Sequence, residues 1–76
     1  AEALCMRGDI ILAQGGDSPD TYRKALTDAY LRVALMYLDD PCREARFNAL
    51  NKAAGCFDKL GMAVRAEDMR SRAKAM

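Results

Sequence analysis

The sequence contains no histidine, and this absence excludes much of the chemistry that a small protein performs. Histidine is the commonest general base and the commonest metal ligand in proteins. Without it, no serine or cysteine can be activated by a histidine in a nucleophilic triad. The five glycines form neither a phosphate-binding loop nor a dinucleotide-binding motif. We therefore expect a protein that is not an enzyme and that holds no cofactor and no metal.

The sequence also lacks a C-x-x-C pair, because its three cysteines, Cys5, Cys42 and Cys56, are spread widely. This spacing does not provide the ligand set of a zinc site. We expect the three residues to act as small buried apolar side chains in a reduced chain. Their odd number favours a soluble, cytoplasmic protein. One disulfide with one remaining thiol is the alternative.

An excess of charge of one sign is absent as well, since 12 basic and 11 acidic residues give a net charge of +1. Such a balance does not favour nucleic acid or an anionic membrane as a partner. No apolar run approaches the roughly 20 residues of a membrane-spanning helix. The second half is nevertheless the more basic one, which keeps a nucleic-acid-binding helical domain as an alternative function. Its basic residues are Arg43, Arg46, Lys52, Lys59, Arg65, Arg70, Arg72 and Lys74.

The length of 76 residues and the hydrophobic fraction of 51% indicate one small folded domain. A chain of this size buries only about 60% of the surface that its unfolded form exposes, so its margin of stability is small. The chain begins with alanine rather than methionine. We therefore expect a piece of a longer protein, supported by a neighbouring segment or by a partner.

Glycine and proline divide the chain into four helical segments, arranged as one hairpin over residues 1–40 and another over residues 41–76. The first helix covers residues 1–14 and ends at Gly15-Gly16, where glycine can take the left-handed conformation. Ser18 suits the N-cap of the second helix, and Pro19 suits its first position. This helix runs to residue 38, before the prolyl break at Pro41. Its apolar face comprises Tyr22, Ala25, Leu26, Ala29, Tyr30, Val33, Met36 and Tyr37.

The third helix covers residues 41–60, and the fourth covers residues 62–74. The connection at Gly61 is so short that these two helices must be antiparallel neighbours. No segment shows the alternation of a strand, so the sequence predicts an all-α fold of two antiparallel hairpins. The inward-facing residues are Ala45, Ala49, Leu50, Ala53, Ala54, Phe57 and Leu60 in the third helix, and Val64, Ala66, Met69 and Ala73 in the fourth.

The two hairpins share a pattern of small and large residues when residues 1–15 are set against residues 47–61. A small residue one turn from a large one allows a partner helix to approach closely, and a final glycine turns the chain back. The matched pairs are Leu4 with Leu50, Gly8 with Ala54, Ile11 with Phe57, and Gly15 with Gly61.

This pattern resembles the tetratricopeptide repeat, a helix-turn-helix unit of about 34 residues. In the second helices, Ala29, Val33 and Met36, and likewise Ala66 and Ala73, occupy its packing positions. Pro41 is similar to its closing proline. The resemblance implies right-handed superhelical stacking of the two hairpins. The chain departs from the pattern in the 46-residue spacing of the copies (47 − 1 = 46), and in Arg7 and Arg70, which replace apolar residues.

In tetratricopeptide arrays the first helix of each hairpin lines a groove for a peptide or a partner helix. The resemblance therefore implies a non-enzymatic protein–protein interaction or scaffold module. Lys52 is suited to attract a carboxylate, but Asp9 repels one, so we predict that C-terminal carboxylate tails do not bind. A structural spacer without a ligand is a further alternative. The implied partner-binding residues are Cys5, Asp9, Leu12, Asn48, Asn51 and Lys52, with Glu2 and Gly55 on the same two faces.

Methionine is concentrated near the end of the chain, at Met62, Met69 and Met76. Methionine adapts well to irregular apolar contacts. The fourth helix is therefore expected to present an apolar flank that self-association or a further helix would cover. Core filling inside the hairpin is the alternative, above all for Met69.

Overall fold

A computed structural model describes residues 2–36 and 43–75, and every regular element within these ranges is helical. The prediction of an all-α fold is confirmed. Helix α1 covers Glu2–Gly15, α3 covers Arg43–Lys59 and α4 covers Ala63–Lys74. Helix α2 covers residues 19–36.

Helix α2 changes its winding in the middle. It begins as an α-helix at Pro19–Ala25, continues as a π-helix over Leu26–Tyr30 and returns to an α-helix over Leu31–Met36. The backbone N–H of Leu31 donates to the Leu26 carbonyl, five residues earlier. This wider turn carries Tyr30, whose ring is fully buried while its hydroxyl reaches α1.

The turn between α1 and α2 follows the predicted chemistry. Ser18 is the N-cap of α2, and its hydroxyl accepts a hydrogen bond from the backbone N–H of Thr21 at 3.3 Å. Pro19 occupies the first turn, where its missing N–H costs nothing. The Thr21 hydroxyl donates to the Gly15 carbonyl at 2.9 Å, which joins the end of α1 to the start of α2.

The left-handed glycine after α1 is Gly16, whereas the sequence comparison matched Gly15 to Gly61. Gly16 has a φ of +73° and Gly61 a φ of +74°, so these two residues take the left-handed conformation. They are 45 residues apart (61 − 16 = 45), whereas the sequence comparison paired Gly15 with Gly61. Gly15 remains helical because it packs against Thr21, where a Cβ would lie 2.5 Å from the hydroxyl oxygen. The alignment of the hairpins is therefore wrong by one residue at this end.

Contacts between α1 and α2 show that these helices are antiparallel. Gly15 lies beside Thr21, and Gly8 lies beside Tyr30. Residue numbers therefore decrease along α1 in the direction in which they increase along α2. The predicted role of Gly8 in close helix packing is confirmed, because a Cβ there would lie 2.6 Å from Cζ of Tyr30.

Helices α1 and α3 run parallel to each other. The Cys5 thiol donates to the Ala45 carbonyl at 3.7 Å, and Lys52 binds Asp9 further along both helices. Two helical hairpins therefore lie side by side with their first helices pointing the same way. The groove between α1 and α3 is the surface on which the predicted partner-binding residues were placed.

The core is built from small and medium side chains between the helices. Tyr30, Val33 and Leu50 are the largest fully buried side chains. Met69 is buried, so it fills the core. Val64, which was predicted to point inward, is 84% exposed, and that prediction is wrong. The buried residues of α4 are Ala66, Met69 and Ala73.

Some predictions fall outside the described residues. They concern Tyr37, the break at residues 39–41, Cys42, Met76 and the side chains of Glu2 and Met36.

Candidate partner-binding groove

A groove with a volume of about 290 Å³ lies between α1 and α3, and α2 forms its floor. This volume is just below the usual range of small-molecule pockets, about 300–1,000 Å³, and suits one or two side chains of a partner. The floor is largely apolar, and charged side chains stand at the rim. The lining residues are Asp9, Leu12, Tyr22, Tyr30, Lys52, Gly55, Cys56 and Lys59.

A polar cluster of Asp9, Tyr30 and Lys52 closes one end of the groove. The ammonium of Lys52 donates to both carboxylate oxygens of Asp9, at 2.7 and 2.8 Å. The Tyr30 hydroxyl donates to Oδ1 of the same carboxylate at 2.5 Å. The Lys52 ammonium also lies 5.8 Å from the centre of the Tyr30 ring, within reach of a cation–π attraction. One carboxylate thus connects α1 to both α2 and α3.

These contacts set the protonation of the groove. Burial opposes ionisation of Asp9, but the hydrogen bonds from Lys52 and Tyr30 and the charge of Lys52 outweigh it and lower the pKa of Asp9. Burial and the hydrogen bond to Asp9 raise the pKa of Tyr30 far above its ordinary value. Burial also raises the pKa of the Cys56 thiol. At neutral pH the groove therefore holds one carboxylate, a neutral phenol and a neutral thiol.

Lys59 carries a positive charge that no described acidic side chain neutralises. Asp9 neutralises Lys52, while Lys59 forms no ion pair with any residue that the structure describes. Asp58, the neighbour of Lys59 in sequence, is bound by Arg70 of α4. An approaching ligand therefore meets a net charge of about +1 at the Lys59 end.

Gly55 forms an open part of the groove wall in the interior of α3. A Cβ at this position would have no atom within 4 Å, so no internal packing requires a glycine. Glycine within a helix costs about 0.5–1 kcal/mol relative to alanine. Gly8 and Gly15, by contrast, each pack against α2 at distances that a Cβ would not allow.

The structure brings Asp9, Leu12 and Lys52 of the predicted partner-binding set together in this groove. Cys5 is a correction, because only 9% of its surface is exposed and its thiol bonds to Ala45 inside the core. Cys5 lies one turn before Asp9 on the same side of α1, but it is covered there by α3 at Ala45, so its side chain is not part of the exposed surface.

Asn48 and Asn51 lie on the exposed face of α3. The Asn51 amide donates to the Phe47 carbonyl of its own helix at 3.2 Å. Neither asparagine lines the groove, so these two predicted residues would contact only a partner that extends beyond its rim.

Sequence reasoning missed four lining residues: Tyr22, Tyr30, Cys56 and Lys59. Tyr22 and Tyr30 were assigned to the core as part of the apolar stripe of α2. Their hydroxyls provide the missing signal, because a buried tyrosine usually needs a polar partner. Tyr22 donates to Asp17, and Tyr30 donates to Asp9.

The outer face of α1 extends the apolar surface beside the groove. Met6 is 63% exposed and Ile10 is 51% exposed, and their spacing of four residues places them on one face of the helix. Cys5 and Gly8 lie buried on the opposite face. Helix α1 therefore carries apolar side chains on its outer face as well as on its buried face.

Much of the basic charge of the second half is engaged within the protein. Arg72 lies 3.2 Å from Asp68, one helical turn earlier in α4. The engaged basic side chains bind as follows: Arg46 to the Ala34 carbonyl, Lys52 to Asp9, Arg70 to Asp58, and Arg72 to Asp68.

Residues 2–36 and 43–75 contain neither a candidate membrane span nor a candidate metal site. None of these helices combines the length and apolar character that a membrane crossing requires. No three histidine, cysteine, aspartate or glutamate side chains in the same ranges are placed to hold a metal ion together.

Comparison of the chain with protein-family models, with curated proteins and with solved structures gave no match.

Proposed function

We propose that this protein is a non-enzymatic interaction module that binds a peptide or a partner helix in the groove between α1 and α3. The observation that carries the proposal is the largely apolar groove between two parallel helices, in which Leu12 and Tyr22 are partly exposed. Specific interfaces combine such a desolvated apolar centre with a polar rim. Leu12 and Tyr22 supply part of this floor, and Lys59 supplies charge at the rim.

The resemblance to tetratricopeptide arrays enters as part of this proposal. Parallel first helices, each followed by an antiparallel second helix, are what stacked hairpins of such an array require. The contacts of Cys5 with Ala45 and of Asp9 with Lys52 support side-by-side stacking. The handedness of a superhelix involves more units than two and stays a prediction.

Nucleic-acid binding through the second half is a weaker alternative, because four of its basic side chains already have partners within the protein. Phosphate contacts release counterions, so binding to DNA or RNA would weaken steeply with salt. A titration of a labelled oligonucleotide at several salt concentrations measures this directly. We expect weak binding without a preferred sequence.

Selection from a library of helical peptides tests the proposed function. Peptides that bind the wild type would be measured by fluorescence anisotropy against two matched variants, Gly55→Gln and Ala3→Gln. Position 55 is open and lines the groove, whereas Ala3 lies exposed near the start of α1 and does not line the groove. We expect Gly55→Gln to weaken binding about tenfold or more, an effect of about 1.4 kcal/mol, and Ala3→Gln to leave it unchanged. Failure to select any peptide, or equal affinity for all three proteins, would contradict the proposal.

A further inference from the structure

Three features remain unexplained by contacts within one chain. Gly55 is a helix-interior glycine that nothing packs against, and Lys59, one turn later on α3, has no carboxylate partner in the described part of the chain. Val64, on the outer face of α4, is an apolar side chain almost fully exposed. Each feature leaves a group at the surface that a second chain can contact.

Gly55 and Lys59 together define what the groove can accept. Without a Cβ at position 55, the main chain of α3 is open to close approach by a small residue of another helix. Lys59 lies four residues further along the same face, so it can meet a carboxylate one helical turn away. The matching helix carries an acidic residue and a small residue four positions apart.

The outer face of α4 carries this pattern. Glu67 and Ser71 are both exposed and are four residues apart, and Val64 lies on the same face one turn earlier. Glu67 forms no ion pair with any described residue, although its charge acts together with that of Asp58 on Arg70 and raises the pKa of Arg70. Opposite charge on Glu67 and Lys59 makes α4 complementary to the groove.

We propose that the groove binds α4 of a second copy of this chain, antiparallel to α3, with Glu67 against Lys59 and Ser71 over Gly55. Val64 of the second copy then lies toward the end of the groove floor where Tyr22 is placed. The proposal deepens the proposed function and rests on it, since it names the partner helix of that same groove. The contact joins different surfaces of the two copies, so it repeats head to tail.

The expected association is weak. Helix α4 has 12 residues and a length of about 18 Å at about 1.5 Å per residue. A single helix in a shallow groove buries less than the roughly 800 Å² per partner of a stable interface. Self-association should therefore depend on concentration and weaken with added salt.

A charge-swap experiment by sedimentation equilibrium tests this contact. Lys59→Glu places like charges at the interface, and so does Glu67→Lys, so each variant should self-associate about tenfold more weakly than the wild type. An equimolar mixture restores opposite charges at every contact and should recover wild-type association. Lys24→Glu, an exposed charge change outside both surfaces, serves as the matched control. Circular dichroism verifies that every variant is folded.

Two results would overturn the inference. One is a wild type that remains monomeric across the whole concentration range, and the other is an association that neither variant weakens or that the mixture fails to recover. A monomeric wild type that still binds selected peptides in the groove would reject the second copy as partner while leaving the proposed function intact. If no peptide binds either, both proposals fail.

Discussion

At the scale of single residues, Asp9 has the largest effect on the character of the groove. The sequence placed Asp9 and Lys52 on one surface, which the structure bears out. It did not reveal that they bind each other, because 43 residues separate them and their pairing depends on how the hairpins stack. The carboxylate of Asp9 occupies Lys52, the lysine that the sequence suggested for an external carboxylate, and that C-terminal carboxylate tails do not bind stays a prediction.

Acid should remove the contribution of Asp9 to stability. Its pKa in the folded protein lies below the ordinary value of 3.8. Stability from this carboxylate is therefore present above that value and is lost as pH falls through the lower folded pKa. Urea denaturation at pH 7 and well below pH 3.8 should show a larger loss for the wild type than for Asp9→Asn. Equal losses would show that the contacts with Lys52 and Tyr30 do not stabilise the ionised form.

The helix-interior glycines should respond in opposite ways to the same change. We expect Gly8→Ala to destabilise the protein by about 1 kcal/mol, since overpacking against Tyr30 costs about 1–3 kcal/mol and exceeds the gain in helix propensity. Gly55→Ala should stabilise it by about 0.5–1 kcal/mol, because its methyl group meets open space. Urea denaturation measures the free energy of unfolding of both variants. If both changes raise it, or both lower it, this assignment of the two glycines is wrong.

At the scale of elements, the start of α2 was predictable and its middle was not. Ser18 and Pro19 act through neighbouring backbone groups, so local sequence is sufficient to place the cap. The π-helical turn at Leu26–Tyr30 has no comparable local signal, because it accompanies the packing of Tyr30 against α1. Val64 was misplaced for a simpler reason. It is two residues from Ala66, and helix geometry puts such neighbours on different faces.

Loss of the N-cap of α2 should have a measurable cost. We expect Ser18→Ala to destabilise the protein by about 1 kcal/mol, the usual cost of removing a capping hydroxyl, because the Thr21 N–H loses its acceptor. Thermal unfolding followed by circular dichroism provides the measurement. The matched control is Ser71→Ala on the exposed face of α4, which should change stability by less than about 0.5 kcal/mol. A similar loss of stability in both variants would show that the Ser18 cap does not stabilise the protein.

At the scale of the whole molecule, the two hairpins could be predicted from the composition and from the glycines and prolines that end helices. The proposed binding surface could not, because it depends on how the hairpins are placed relative to each other. Short turns at Gly16 and Gly61 make each hairpin antiparallel, and alanine lets the helices pack closely. The depth of the groove and the orientation of Lys59 arise only when α1 and α3 lie parallel over α2. Met6 and Ile10 are exposed apolar side chains on the outer face of α1, outside the lining of the groove.

The most direct test of the central claim is a ¹H–¹⁵N NMR titration of the wild-type protein with a selected helical peptide. The account predicts that the largest shift changes cluster at Leu12, Tyr22, Gly55 and Lys59, with little change at Ala66 and Ala73 inside the α3–α4 hairpin. Changes confined to surfaces away from the groove, or no changes at saturating peptide, would contradict the claim that the groove between α1 and α3 is the binding site.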